Sequence, residues 1–127
     1  KEMLKILKQY RSVSVDRVPV NSPLTLSENI SDVVGIKISL RTLLREYPSD
    51  DPEVIRQFIK KWVTTFRGIS NPFELKLIRE VDPHAPRAVR TNLPFSHLKE
   101  FYQVYDLQPT DKNYLPPQDR LRFFEGE

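Results

Sequence analysis

Glu28, Asp32, His84 and Arg90 are the side chains whose types and spacing could do chemistry in this sequence. Glu28 and Asp32 stand four residues apart in Thr25-Leu26-Ser27-Glu28-Asn29-Ile30-Ser31-Asp32, which opens the longest apolar-periodic segment of the chain. At 3.6 residues per turn this spacing stacks both carboxylates on one helix face. Val33, Ile36, Leu40 and Leu43 fall to one side of that face, and Ile30, Val34 and Ile38 to the other. The acids are therefore expected on an inward-facing stripe. Like charges at this spacing repel, and burying them without a cation is costly, so something positive should sit against them.

Two readings of Glu28 stay open. Thr25-x-x-Glu28 has the form of a capping box, in which the glutamate bonds back to the Thr25 amide. Alternatively, Glu28 is an oxygen ligand to a metal, and Asp32 one turn on orients a ligating histidine by its far nitrogen. Catalytic zinc takes three protein ligands, commonly two histidines and a carboxylate. Only His84 and His97 are present, thirteen residues apart, with no His-x-x-x-His pair. The chain cannot build such a site alone. His84 lies in Asp82-Pro83-His84-Ala85-Pro86, where two prolines stiffen the backbone as a positioned acid or donor requires. An ordinary loop histidine fits the same residues. Arg90 is either a surface arginine or, through its planar fork, the cation that the Asp32 stripe needs. His97 is assigned no chemistry.

The elements that must position these groups read as helices. Lys1 to Tyr10 is the end of a helix with Met3, Leu4 and Leu7 on one side and no N-cap signal, as if the element began further upstream. Ser12 to Val20 alternates valine with polar residues, a short edge strand or extended arm because of Pro19. Asn21-Ser22-Pro23 reads as a turn, and a helix follows from about Leu26 to Glu46. Asp51-Pro52-Glu53 opens a second long helix with an apolar stripe that includes Phe58, Trp62 and Phe66. Trp62 and its stripe read as core, and Gly68 ends that helix. Asn71-Pro72-Phe73-Glu74 repeats the cap signature for a short helix. Asp82 to Pro94 is a constrained loop. Ser96 or His97 should cap a last helix carrying Leu98, Phe101, Tyr102 and Tyr105. Tyr114, Leu121, Phe123 and Phe124 would anchor the tail, whereas Lys60-Lys61 and Arg120-Leu121-Arg122 read as solvated charge.

The totals exclude several classes. The 127 residues suit one domain, residues 1–127 as a single unit, and 39% hydrophobic with 29% charged is ordinary for a globular chain. Without cysteine there is no disulfide, thiolate site or cysteine nucleophile. A net charge of +3, with Lys and Arg spread along the chain and no basic run, is only a weak pointer to nucleic acid. No apolar run approaches a membrane span, and no Gly-rich phosphate loop or nucleophile elbow is present.

Taken together, the motifs resemble the C-terminal part of the neprilysin and endothelin-converting-enzyme family of zinc metallopeptidases. Asn21 to Gly35 (N-S-P-L-T-L-S-E-N-I-S-D-V-V-G) is similar to the family's V-N-G-x-L-T-L-x-E-N-I-A-D-x-x-G. Asp82 to Arg90 (D-P-H-A-P-R-A-V-R) is similar to its D-x-H-x-P-x-x-x-R. Glu100 to Asp106 and Tyr114-Leu115-Pro116-Pro117 follow its closing pattern. Ser31 and Ser27 depart from a usual alanine and glycine, Thr91-Asn92-Leu93 from a glycine–leucine region, and Phe123-Phe124 from a C-terminal tryptophan.

The resemblance implies a mainly α fold: the C-terminal helical portion of a thermolysin-like (gluzincin) catalytic domain, with long proline-rich loops. It implies one Zn2+ in the complete enzyme, peptide substrates, and hydrolysis by zinc-activated water. Glu28 would be the third zinc ligand, Asp32 the carboxylate holding a ligating histidine, His84 the oxyanion donor, and Arg90 a brace for Asp32 that also contacts a substrate carbonyl. The H-E-x-x-H helix would come from a missing upstream part, so this piece alone is expected to be inactive. Gly35 would leave clearance for that helix. The lack of cysteine favours a bacterial source, in cytoplasm or cell envelope. A non-catalytic helical interaction module is the alternative.

Overall fold

The computed structural model describes residues 1–123, and Phe124, one of the expected anchors, lies outside them. Helix α1 (Glu2–Arg11) leads into a two-stranded antiparallel hairpin, β1 (Ser14–Val15) and β2 (Val18–Pro19), paired Ser14 to Pro19 and Val15 to Val18. The expected single strand is thus a hairpin. Asp16 and Arg17 both take positive φ, 47° and 67°, as a two-residue type I′ turn demands. Neither is glycine, so the usual signal for this turn is missing from the sequence. In α1 the buried residues are Ile6 and Tyr10, while Met3 and Leu4 are exposed; the inward stripe is rotated around the helix from the expected one.

The 25-residue helix α2 (Ser22–Glu46) is the spine. It starts a turn earlier than expected. The Asn21 side chain accepts the Leu24 N–H at 3.4 Å, and Pro23 sits in the first turn, where its missing N–H costs nothing. Thr25 is therefore inside the helix, its hydroxyl donating to the Asn21 carbonyl at 3.0 Å. The Thr25–Glu28 capping box does not form, because another residue already caps this end. The N-terminal half of α2 gives Val33 to a core with Ile6, Tyr10, Val20, Ala85, Val89 and Leu121. Its C-terminal half gives Ile36 and Leu40 to a second core with Ile59, Phe95 and Leu98.

Two caps form as read. Asp51 accepts from the Glu53 N–H at 2.8 Å and opens α3 (Pro52–Phe66). Asn71 and Glu74 exchange both bonds of a capping box at the start of α4 (Pro72–Ile78). The constrained loop contains a single helical turn, α5 (Arg87–Arg90). Ser96 and His97 do not cap the last helix, α6 (Lys99–Tyr105); they belong to a buried 3-10 turn, Leu93–His97. Partners from distant positions hold them there: Gln9 donates to the Ser96 hydroxyl at 2.9 Å and meets His97 Nε2 at 2.8 Å.

Nor is Arg120-Leu121-Arg122 a solvated run. Leu121 is fully buried and the Arg120 guanidinium lies 3.6 Å from the Tyr102 ring centroid. Side chains capture the backbone of this segment: Lys5 donates to the Arg120 carbonyl at 2.8 Å, and Lys37 donates to that of Leu121. The Leu121 N–H donates to His97 Nδ1 at 2.9 Å, and the Arg122 N–H to Glu2 at 2.9 Å. The tail thereby ties α1, α2 and the 3-10 turn together. Among the described residues no helix is long and apolar enough to cross a membrane.

Candidate active site

Asp32 sits on α2 facing α5, and the burial of Val89 fixes how α5 presents the residue after it. Arg90 closes on Asp32 as a two-pronged pair, Nε to Oδ2 and Nη2 to Oδ1, both at 2.8 Å. The Asp32 side chain is 8% exposed and that of Arg90 19%. The expected cation is therefore in place. These bonds, before any other influence, raise the Arg90 pKa above its ordinary value and keep the guanidinium charged. Tyr10, fully buried on α1, borders the pair; burial first, then the Asp32 charge, pushes its phenol pKa up, so it remains a neutral O–H.

Glu28, one turn before Asp32, is less buried than the stripe predicts, with 39% of its side chain exposed. Its carboxylate is not spent on a cap. Among the described residues its one ion-pair partner is His84, Nε2 to Oε2 at 3.4 Å. The opposite nitrogen, Nδ1, meets Asp82 Oδ1 at 2.8 Å, and the same oxygen accepts the His84 backbone N–H at 2.9 Å. That backbone bond, ahead of the side-chain one, holds the Asp82 carboxyl below the usual carboxylate range. The imidazole is thus bracketed by a carboxylate at each nitrogen. With Asp82 taking Nδ1–H, Nε2 is left on the side of Glu28.

All four sequence-predicted residues converge, and three others join them. Asp82 was visible only as the first letter of the D-x-H segment; its two-residue offset from His84 lets one oxygen hold both backbone and ring. Trp62 donates its indole N–H to the Arg90 carbonyl at 2.9 Å, and the Phe66 ring centroid lies 4.4 Å from the Arg90 guanidinium carbon. Periodicity assigns both to the core stripe, because it shows which face is apolar and not where its edge ends. His97 stays out of the site.

Among the described residues no group of three or more metal-ligating side chains is present. Glu28 nevertheless fits as a single ligand: an accessible carboxylate, uncommitted to the helix end, on a face where a Cβ added to Gly35 would meet nothing within 4 Å.

A helical chain with this constellation matches a peptidase. Residues 1–121 match peptidase family M13, and the chain belongs to that family. It is 32% identical over 124 residues to a neutral endopeptidase of Lactococcus lactis subsp. lactis (strain IL1403), covering 98% of this chain and 19% of that protein. It is 34% identical over 109 residues to "Zinc metalloproteinase R519" of Acanthamoeba polyphaga mimivirus, covering 79% of this chain and 17% of that one. The crystal structure of PEPO from Lactobacillus rhamnosis HN001 (DR20) superposes with a TM-score of 0.87 at 28% identity, over 96% of this chain and 19% of that chain. The chain thus spans about a fifth of the length of these relatives, and its fold is the helical part of an M13 catalytic domain.

Proposed function

We propose that the chain is one wall of a zinc metalloendopeptidase active site, with the H-E-x-x-H helix supplied by an upstream part of the same catalytic domain. The observation that carries this reading is the convergence of the Glu28–His84–Asp82 chain with the Asp32–Arg90 pair. Glu28 would hold the metal, which when bound acts as a Lewis acid toward water and the peptide carbonyl. Asp32, its charge balanced by Arg90, would orient a ligating histidine on the incoming helix. Asp82 fixes His84 through Nδ1, and Nε2–H would donate to the carbonyl oxygen as negative charge builds on it. Arg90 would give its remaining N–H groups to a substrate backbone carbonyl.

The test is kinetic. In the full-length protein His84→Ala should lower kcat by about a hundredfold, the scale of losing one oxyanion donor, with zinc content unchanged. Unchanged turnover would remove His84 from the mechanism. Calorimetric titration of this chain alone with zinc should show no sub-micromolar binding, and peptide cleavage by it would overturn the reading of an incomplete site.

A second reading, a helical interaction module, draws on one observation. Ile69, Phe73, Leu77 and Val81 recur every four residues and are all more than 60% exposed. Light scattering separates the two, since a monodisperse monomer would count against it.

A further inference from the structure

We infer that Phe66, on the last turn of α3, is a positioning residue that holds the Arg90 guanidinium in the plane needed to meet substrate. The inference rests on the proposed role of Arg90 and adds a residue that the motif segments around Glu28 and His84 do not contain.

Three contacts fix Arg90. Asp32 takes the Nε and Nη2 edge at 2.8 Å, and Trp62 takes the Arg90 backbone carbonyl at 2.9 Å. The two-pronged pair sets where the fork ends but leaves the group free to rock about its edge. A ring against the flat face stops that motion, and the Phe66 centroid lies 4.4 Å from the guanidinium carbon, within cation–π range. Phe66 is itself backed by Trp62, centroids 4.4 Å apart, and Trp62 is set edge-on against buried Phe95. A column of rings thus runs from the second core to the guanidinium.

What this leaves over is the Nη1 end of Arg90, which has no hydrogen-bond partner among the described residues. With one edge held by Asp32 and one face covered by Phe66, those N–H groups have a defined direction and reduced access to water. A donor fixed in this way binds a carbonyl without first being ordered, which is where preorganisation helps affinity. Tyr or Trp could replace Phe66 in this task. An aliphatic residue of similar size fills the space and supplies no negative ring face.

The experiment uses the full-length protein with a peptide substrate. Phe66→Leu should raise KM about fivefold to tenfold with kcat within about twofold, the span of a partly desolvated cation–π contact. Phe66→Tyr should restore KM. In an Arg90→Met background, Phe66→Leu should add nothing, because its object is gone. Thermal unfolding of each variant separates misfolding from mispositioning. An equal KM penalty with and without Arg90, or no recovery with tyrosine, would reduce Phe66 to packing and overturn the inference. If Arg90→Met alone left KM and kcat unchanged, the proposed role of Arg90 would fail first, and the positioning of Phe66 with it.

Discussion

The two histidines of this chain, thirteen residues apart, live in opposite surroundings. His84 is nearly half exposed and has a carboxylate at each ring nitrogen. His97 is 1% exposed; Nδ1 accepts the Leu121 N–H, and Nε2 donates to Gln9 Oε1 at 2.8 Å. The charges near His97 are mainly cations. Burial, then Lys37, Lys5 and Arg120, pulls its pKa down to about 3, with Glu2 opposing weakly. One imidazole is set among anions at a surface, with Nε2 toward Glu28 and Nδ1 on Asp82. The other is held neutral as a structural bridge between α1, the 3-10 turn and the tail. Surroundings, and not residue type, separate a candidate donor from a strut.

The largest effect that would break this contrast is on folding. His97→Ala removes a buried ring and strands the Leu121 N–H, and should cost about 3–5 kcal/mol. His84→Ala, at the surface, should change stability by no more than about 0.5 kcal/mol. Chemical denaturation of the two variants side by side checks this, and similar losses would erase the distinction.

Acid should expose the same difference. The folded pKa of His97 lies below the unfolded 6.5, so the unfolded chain binds more protons between those values. The stabilisation is present in full above about pH 6.5 and is lost as pH falls toward 3. At pH 4.5 it should have fallen by roughly 2.5 kcal/mol relative to pH 7.5. His97→Gln should flatten that slope, whereas His84→Gln should leave it. An unchanged pH profile in His97→Gln would mean that acid acts elsewhere.

A smaller effect sharpens the comparison between the closed side and the open one. A methyl at Gly35 meets nothing among the described residues, so Gly35→Ala should stabilise this chain by about 0.5–1 kcal/mol through helix propensity. In the full-length protein the sign should reverse if another helix packs against this face. The same gain in both would remove the clearance role of Gly35.

How much of this was readable in the sequence depended on distance along the chain. Asp51 and Asn71 cap helices through bonds spanning two or three residues, and their types at those offsets announce it. Glu28 and Asp32 share a helix face by the same local geometry. The start of α2 was misplaced because Thr25–Glu28 and Asn21–Leu24 offer competing caps one turn apart, and only packing chooses. The hairpin was hidden by Asp16 and Arg17, which occupy a turn usually marked by glycine. His97 was misread for a different reason: its partners lie 88 and 24 residues away, and no local pattern encodes them. The Asp32–Arg90 pair spans 58 residues. Charge balance demanded a cation there, and the family motif supplied which one.

Zinc content is the most direct measure of the central claim, that Glu28 belongs to a metal centre completed from outside this chain. Full-length protein carrying Glu28→Ala should purify with its zinc largely lost, by elemental mass spectrometry, while its thermal unfolding without metal matches that of the parent. A Glu28→Ala protein that retained one zinc per chain would contradict the account.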